Sequence, residues 1–510
     1  MNAVSKLNRR STGIALSYVN TVANAVIGLF LSAYIVRQIG SAENGVYQSM
    51  SSFLSYLTVL EFGIGSIMTR NISLCRKDGS DEETILRNVS TVWYISLGLS
   101  VLILLAAGVF YCFIDRIYAA SMTEAQIGEG KLIFLLMTVR LLASFLSQGL
   151  KGCILGFERY SVAQVLNLAH LLVRTALVFV LLRLYRFALV VVIIDLTLQL
   201  LTFLYYLFYC GKRLKLRFSL KRFTPAIFRE MTPLAFAMFL QTIVNTANGN
   251  VDKFVISILM TPVAVSVYSV GMYVFNMFSS LMVVPISMYM PQIAGDMRSG
   301  KRGRELMPSL VPPCRFTALM GGAVLFGFFA VGKPFLQVFY GPEYLDAWRI
   351  ALVVMLPSYI NMTVGVLINV LDVLRKRHIR SLCLLLTTGA NIVLTVLWVK
   401  GHGMLGAALA TCVCTFLGQD ILLSIYYTKR IGIHVPTLLW RSYRGVLPAL
   451  LLAGAGAYGI TLLFENRLHA LLLGGFGYVL LAAGLLLCFG LNASERDQIR
   501  AKLKKIGGKP

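Results

Sequence analysis

Residues 187–230 read FALVVVIIDLTLQLLTFLYYLFYC followed by GKRLKLRFSLKRFTPAIFRE. The first 24 residues hold one charged side chain, Asp195, and as a helix they would extend roughly 36 Å at 1.5 Å per residue. A hydrocarbon layer is about 30 Å thick, so this run is long enough to cross it. The next 20 residues, Gly211 to Glu230, hold seven Lys and Arg, and a loop that basic marks the side of the membrane retained by positive charge. A spanning helix followed by a basic inner loop is the unit from which the rest of the chain is read.

The same alternation runs through all 510 residues, of which 57% are hydrophobic and 14% charged. Soluble domains carry about a quarter charged residues, so this composition excludes a single soluble core. Apolar spans are predicted at residues 12–36, 43–69, 86–114, 132–156, 161–182, 187–210, 231–259, 262–294, 310–339, 347–371, 380–399, 404–427, 445–464 and 470–492, about fourteen transmembrane helices in an all-α integral membrane protein. With the amino terminus inside, 35 of the 47 Lys and Arg fall at the inner ends, nine at the outer ends, and Arg140, Arg174 and Lys253 within the membrane. Adding or dropping one helix would invert every later loop and erase that asymmetry. The net charge of +25 is therefore topological and touches anionic headgroups, and nucleic acid is not an expected partner.

Asn20-Thr-Val-Ala-Asn24 aligns with Gln241-Thr-Ile-Val-Asn245 at an offset of 221 residues, which also pairs Gly28 with Gly249 and Tyr47 with Tyr268. Six helices separate the copies, so the halves run in the same direction, as in a parallel repeat. The expected organisation is an N-terminal lobe over 1–210, a basic cytoplasmic linker over 211–230, a second six-helix lobe over 231–430, and two further helices with a basic cytoplasmic tail over 431–510.

Polar side chains inside a bilayer face a cavity or one another, so stripes at helical spacing locate a path. Helix one carries Ser17, Asn20 and Asn24, and helix seven Gln241, Asn245, Asn248 and Asp252. Helix four carries Arg140, Ser144, Ser147 and Lys151, helix five Asn167, His170 and Arg174, and helix six Asp195, Gln199 and Thr202. Arg140, Arg174, Asn20, Asn24, Gln241, Asn245 and Lys253 are the substrate-binding candidates. Guanidinium groups suit a diphosphate, to which they can donate two parallel hydrogen bonds, and amides suit sugar hydroxyls. Asp195, Asp252, His170 and Glu61 are candidates for coupling to a proton or cation, with Asp195 placed to pair with Arg174. The bland alternative is that the amides and hydroxyls only fasten helices together.

Nine cysteines, mostly inside apolar runs, form neither a disulfide framework nor a CxxC metal pattern. No GxSxG, P-loop or HExxH is present, and the longest loops are about 20 residues, so neither an enzyme, a cofactor site nor ATP hydrolysis is expected. Transport would be driven by an ion gradient, the membrane potential or consumption of the substrate.

Four passages carry a resemblance: Glu61-Phe-Gly-Ile-Gly followed by Arg70; Leu155-Gly-Phe-Glu-Arg-Tyr160; Phe339-Tyr-Gly-Pro-Glu-Tyr344; and Asn391 with Gly403-Met-Leu-Gly-Ala-Ala-Leu-Ala-Thr411. In order and spacing they resemble the polysaccharide-transporter family of the MOP (multidrug, oligosaccharidyl-lipid, polysaccharide) superfamily. The resemblance implies a MATE-like pair of lobes around a cavity, and alternating access that moves undecaprenyl-diphosphate-linked oligosaccharide to the outer face of the bacterial cytoplasmic membrane. It also implies work beside membrane lipids and polysaccharide polymerase or glycosyltransferase machinery. A lipid II flippase shares the diphosphate-polyprenyl anchor and is the near alternative. A MATE-type multidrug antiporter would favour acidic cavity residues. A membrane glycosyltransferase or polymerase would add a large catalytic loop, and a scaffold would leave the intramembrane Arg residues unexplained.

Overall fold

The computed structural model describes residues 3–79, 81–490 and 492, with side chains at 3–15, 17–19, 21, 22, 25, 26, 234, 237, 241, 244, 245, 247, 248, 284, 285 and 287 outside that description. Every regular element among the described residues is helical. Nine helices are long and apolar enough to cross a membrane, or up to eleven when each of two pairs bent by 50° counts as one span. Two of the nine, Ile27–Lys77 and Arg377–Ile431, hold 51 and 55 residues, each enough for two crossings of about 20. Both are interrupted where the hydropathy separates two spans, at Gly40 (φ 82°) and Gly403 (φ 59°). Fourteen crossings remains the topology we propose.

The chain divides into two compact units, one ending at Ser266 and the other beginning at Val267. In the first, α1 (Ala3–Leu57) leads through a short 3-10 turn to α2 (Ile64–Lys77), followed by α3 (Glu82–Tyr118), α4 (Glu124–Gly156), α5 (Tyr160–Leu184), α6 (Ala188–Phe208) and α7 (Pro225–Leu259). The helix α4 is the hub, packing on α1, α2, α3 and α6. Met50, Met68, Ile72, Phe134 and Phe145 fill the core around it.

The linker expected to separate two lobes lies along α3, where Ser219 and Thr224 donate backbone N–H groups to Ser90 and Thr91 and Arg222 meets Glu83 at 3.2 Å. The helix α7 packs on α1 and α3, and Ser121 Oγ donates to Ser257 O at 3.0 Å. Helix seven, which the repeat assigns to the second lobe, thus belongs to the first compact unit.

The α2–α4 contact depends on missing side chains. A Cβ on Gly152 would lie 2.5 Å from the Gly65 carbonyl oxygen and 2.9 Å from Met68 Cβ, and one on Gly156 would lie 2.7 Å from Ile72 Cβ. Small residues four apart allow this approach where no hydrophobic effect draws helices together within lipid. Gly152→Leu is expected to destabilise the protein by about 1–3 kcal/mol through overpacking. Thermal melting in detergent micelles checks this, and an unchanged midpoint would contradict the packing.

In the second unit α8 (Pro262–Met288), which begins just before the division, and α9 (Met290–Arg298) precede α10 (Met307–Phe339), α11 (Leu345–Thr363), α12 (Leu367–Val373), α13 (Arg377–Cys414), α14 (Leu423–Tyr426), α15 (Val435–Tyr443), α16 (Val446–Leu462) and α17 (Arg467–Leu485). The helix α10 packs on α11, α15, α16 and α17. Its buried Arg315 donates to the Arg444 carbonyl at 2.9 Å and to the Gly490 carbonyl, tying the last two long helices to the unit. Lys333 lies 4.5 Å from the Trp348 ring centroid.

The four family-like passages sit at turns and breaks. Phe62 and Gly63 are left-handed (φ 49° and 65°) between α1 and α2, and Glu158 (φ 60°) turns the chain between α4 and α5. Gly341 (φ 120°) precedes the buried Tyr344. Across the Gly403 break, Asn391 Nδ2 donates to Thr411 Oγ1 at 3.2 Å, while Gly406, Ala407 and Ala410 are buried.

Candidate functional site

The polar stripes of α1, α4, α5 and α6 converge on one cavity of about 410 Å³ in the first unit. The helix α4 contributes Arg140, Ser144, Ser147 and Lys151, spaced three or four residues apart so that they share a face. From α5 come Asn167, His170 and Arg174, from α6 Gln199 and Thr202, and from α1 Asn20 and Asn24. Gln148 and Tyr206 also line it, and both lie on the same stripes, four residues after Ser144 and Thr202. No acidic side chain is among the described residues lining the cavity.

The three cations differ in their surroundings. Arg174 grips Asp195 with two parallel hydrogen bonds, Nε to Oδ1 at 2.6 Å and a terminal nitrogen to Oδ2 at 3.2 Å. The Asp195 side chain is 6% exposed and that of Arg174 25%, so the carboxylate lies behind the guanidinium and orients it toward the cavity. Arg140 is exposed, with no ion pair among the described residues. Lys151, near the carboxyl-terminal end of α4, is half-buried. Fixed positive charge in a partly desolvated cleft attracts anions far more strongly than the same charge on an open surface.

Amides and hydroxyls brace the walls. Asn20 donates from Nδ2 to both the backbone and the side-chain oxygen of Gln164, at 2.8 and 2.7 Å, and Asn24 donates to the Asn20 carbonyl. Gln199 Nε2 donates to Ser147 Oγ at 3.1 Å, and His170 Nδ1 lies 3.2 Å from Thr202 Oγ1. The fastening role therefore accounts for part of Asn20, Gln199 and His170, while Arg140, Ser144, Lys151 and Asn167 line the cavity with no side-chain hydrogen bond among the described residues.

The remaining sequence candidates lie elsewhere. Glu61 ends the 3-10 turn before α2, and Asp252 and Lys253 lie on α7; none of these lines the cavity. The side chains of Gln241, Asn245, Asn248 and Ser17 fall outside the described residues. Asp420, absent from the stripes, is a buried acid in the second unit.

Long, apolar, broken helices with a polar pocket inside one unit are the build of a multi-pass membrane protein. The fold resembles that of a lipid II flippase MurJ in an inward closed conformation, with TM-score 0.68 and 15% identity over 93% of this chain and 98% of the other. An inward-facing multidrug resistance MATE family transporter of the MOP superfamily gives TM-score 0.64 and 12% identity over 81% and 95%. A MATE crystallised with MaD3S gives 0.52 and 13% over 84% and 97%. At these identities the likeness is one of fold. No curated protein matched in sequence. Residues 12–295, more than half of the chain, match the family of polysaccharide biosynthesis proteins, and the chain belongs to that family.

Proposed function

We propose that this protein is a flippase that carries undecaprenyl-diphosphate-linked oligosaccharide from the inner to the outer face of the bacterial cytoplasmic membrane, with both termini cytoplasmic. The observation that carries the reading is the sign of the cavity, where Arg140, Lys151 and Arg174 meet in a pocket with no carboxylate among the described residues that line it. A midspan Arg costs at least about 2.5–3.5 kcal/mol. Asp195 compensates only Arg174, so the remaining positive charge calls for an anionic ligand. The diphosphate supplies that charge, Asn24, Asn167 and Ser144 offer partners to sugar hydroxyls, and the polyprenyl tail stays in lipid. The fold, shared with transporters described in inward closed and inward-facing conformations, supports alternating access, in which the loaded cavity opens to one face and then the other. Polymerase or glycosyltransferase partners would act on the lipid-linked sugar before or after the crossing.

Proteoliposomes loaded with a fluorescent undecaprenyl-diphosphate oligosaccharide test this, scored by protection from an external glycan-modifying enzyme. Protein-dependent translocation is expected, with cationic dyes left in place. Movement of dyes and none of the lipid would shift the reading to a multidrug antiporter, and transport restricted to lipid II would shift it to peptidoglycan synthesis.

A further inference from the structure

Asp420 lies in a π-helical stretch, Thr415–Leu422, inside the long apolar span Arg377–Ile431 of the second unit. Its side chain is 7% exposed, and both carboxylate oxygens are buried without a hydrogen-bond partner among the described residues. This differs from Asp195, whose charge is matched by Arg174 at 2.6 Å. Unmatched, buried acids in a membrane segment are expensive and mark ion or proton paths. The π-helix adds to the case, because wide turns of this kind are frequent at functional sites.

The surroundings limit what could compensate the charge. The π stretch packs against α11, which brings Asn361 beside Asp420, short of hydrogen-bond geometry. The titratable groups that face it are Cys412, from the end of α13, and Tyr443, from α15. The Tyr443 hydroxyl already donates to Thr363 Oγ1 at 3.1 Å. Among the described residues, no Lys, Arg or His acts on the carboxyl. A hard divalent ion asks for six or more oxygens, and among the described residues this carboxylate with the Asn361 carboxamide offers three from side chains. A proton needs no coordination shell.

We propose that Asp420 is a proton-carrying site of the second unit, protonated in one state of the transport cycle and relieved of its proton in another where Asn361 or water reaches it. The proposal rests on the transporter reading above and adds the driving ion. Asp420 stands by itself on its helix, so no polar stripe in the sequence marks it.

The test uses the purified full-length protein in proteoliposomes, with wild type and Asp420→Asn compared under an imposed pH gradient, a sodium gradient and none. Wild-type flipping is expected to accelerate several-fold under the pH gradient only, whereas D420N should flip at one rate in all three conditions. Equal acceleration of D420N, or acceleration of wild type by sodium alone, would overturn the proposal. Failure of the wild type to move lipid under any condition counts against the flippase instead, and the site is then read directly. Acid titration followed by infrared difference spectroscopy should show a protonated-carboxyl band in wild type that is missing from D420N, and identical spectra would overturn the assignment. Should D420N not be recovered, Asp420→Glu is expected to displace both the band and the pH profile, and an unmoved profile would be the contrary result.

Discussion

Replacing Arg140 by Gln is expected to slow translocation of a diphosphate-linked saccharide roughly 10- to 100-fold while leaving the melting temperature of the protein unchanged. The factor follows from the net loss of one hydrogen bond to a charged group, about 1.5–3 kcal/mol. Arg140 is exposed and has no ion pair among the described residues, so its removal orphans no carboxylate. Lysine at this position should recover only part of the rate, because a point charge replaces a planar fork that can hold two phosphate oxygens. Initial flipping rates set against surface expression check the prediction, and a wild-type rate in R140Q would remove this residue from the substrate path.

Arg174→Gln should behave differently, failing in stability as well as in transport. Its guanidinium is bonded twice to Asp195, and the substitution leaves that carboxylate buried and unpaired. Breaking one side of a buried pair costs about 3–5 kcal/mol, and the lower end applies here because the cavity hydrates the Arg174 side. Asp195→Asn in the R174Q background removes the orphaned charge, so the double variant should regain most of the lost stability. Transport should stay low in it, because the cavity has still lost a cation. Melting curves of the four proteins give the coupling directly, and additive effects would show that the pair does not act as a unit.

The contrast between these two arginines also marks how far the sequence could be read. Spacing of three or four residues was enough to place Arg140, Ser144, Ser147 and Lys151 on one face, and Arg174 opposite Asp195, because helical periodicity in lipid leaves few other places for charge. Gln148 and Tyr206 lie on the same stripes, four residues after Ser144 and Thr202, and the same spacing places them there. Which members brace the wall and which face the ligand was not legible, since the Asn20–Gln164 and Gln199–Ser147 bonds join residues far apart in the chain. The packing of α7 on α1 and α3 was hidden for a similar reason. A repeat reports ancestry and direction, whereas the compact unit is set by contacts such as Ser121 with Ser257. Asp420 is the opposite case, a single acid whose meaning comes from what surrounds it in space.

The central claim is that the diphosphate headgroup sits between α4 and α5 of the first unit. Photo-crosslinking tests it most directly, using an undecaprenyl-diphosphate saccharide with a photoreactive group next to the diphosphate and peptide mapping of the adducts. Adducts on the segments around Arg140 and Arg174, lost in R140Q and competed by unlabelled lipid, are the predicted result. Adducts confined to the second unit, with translocation intact, would contradict it.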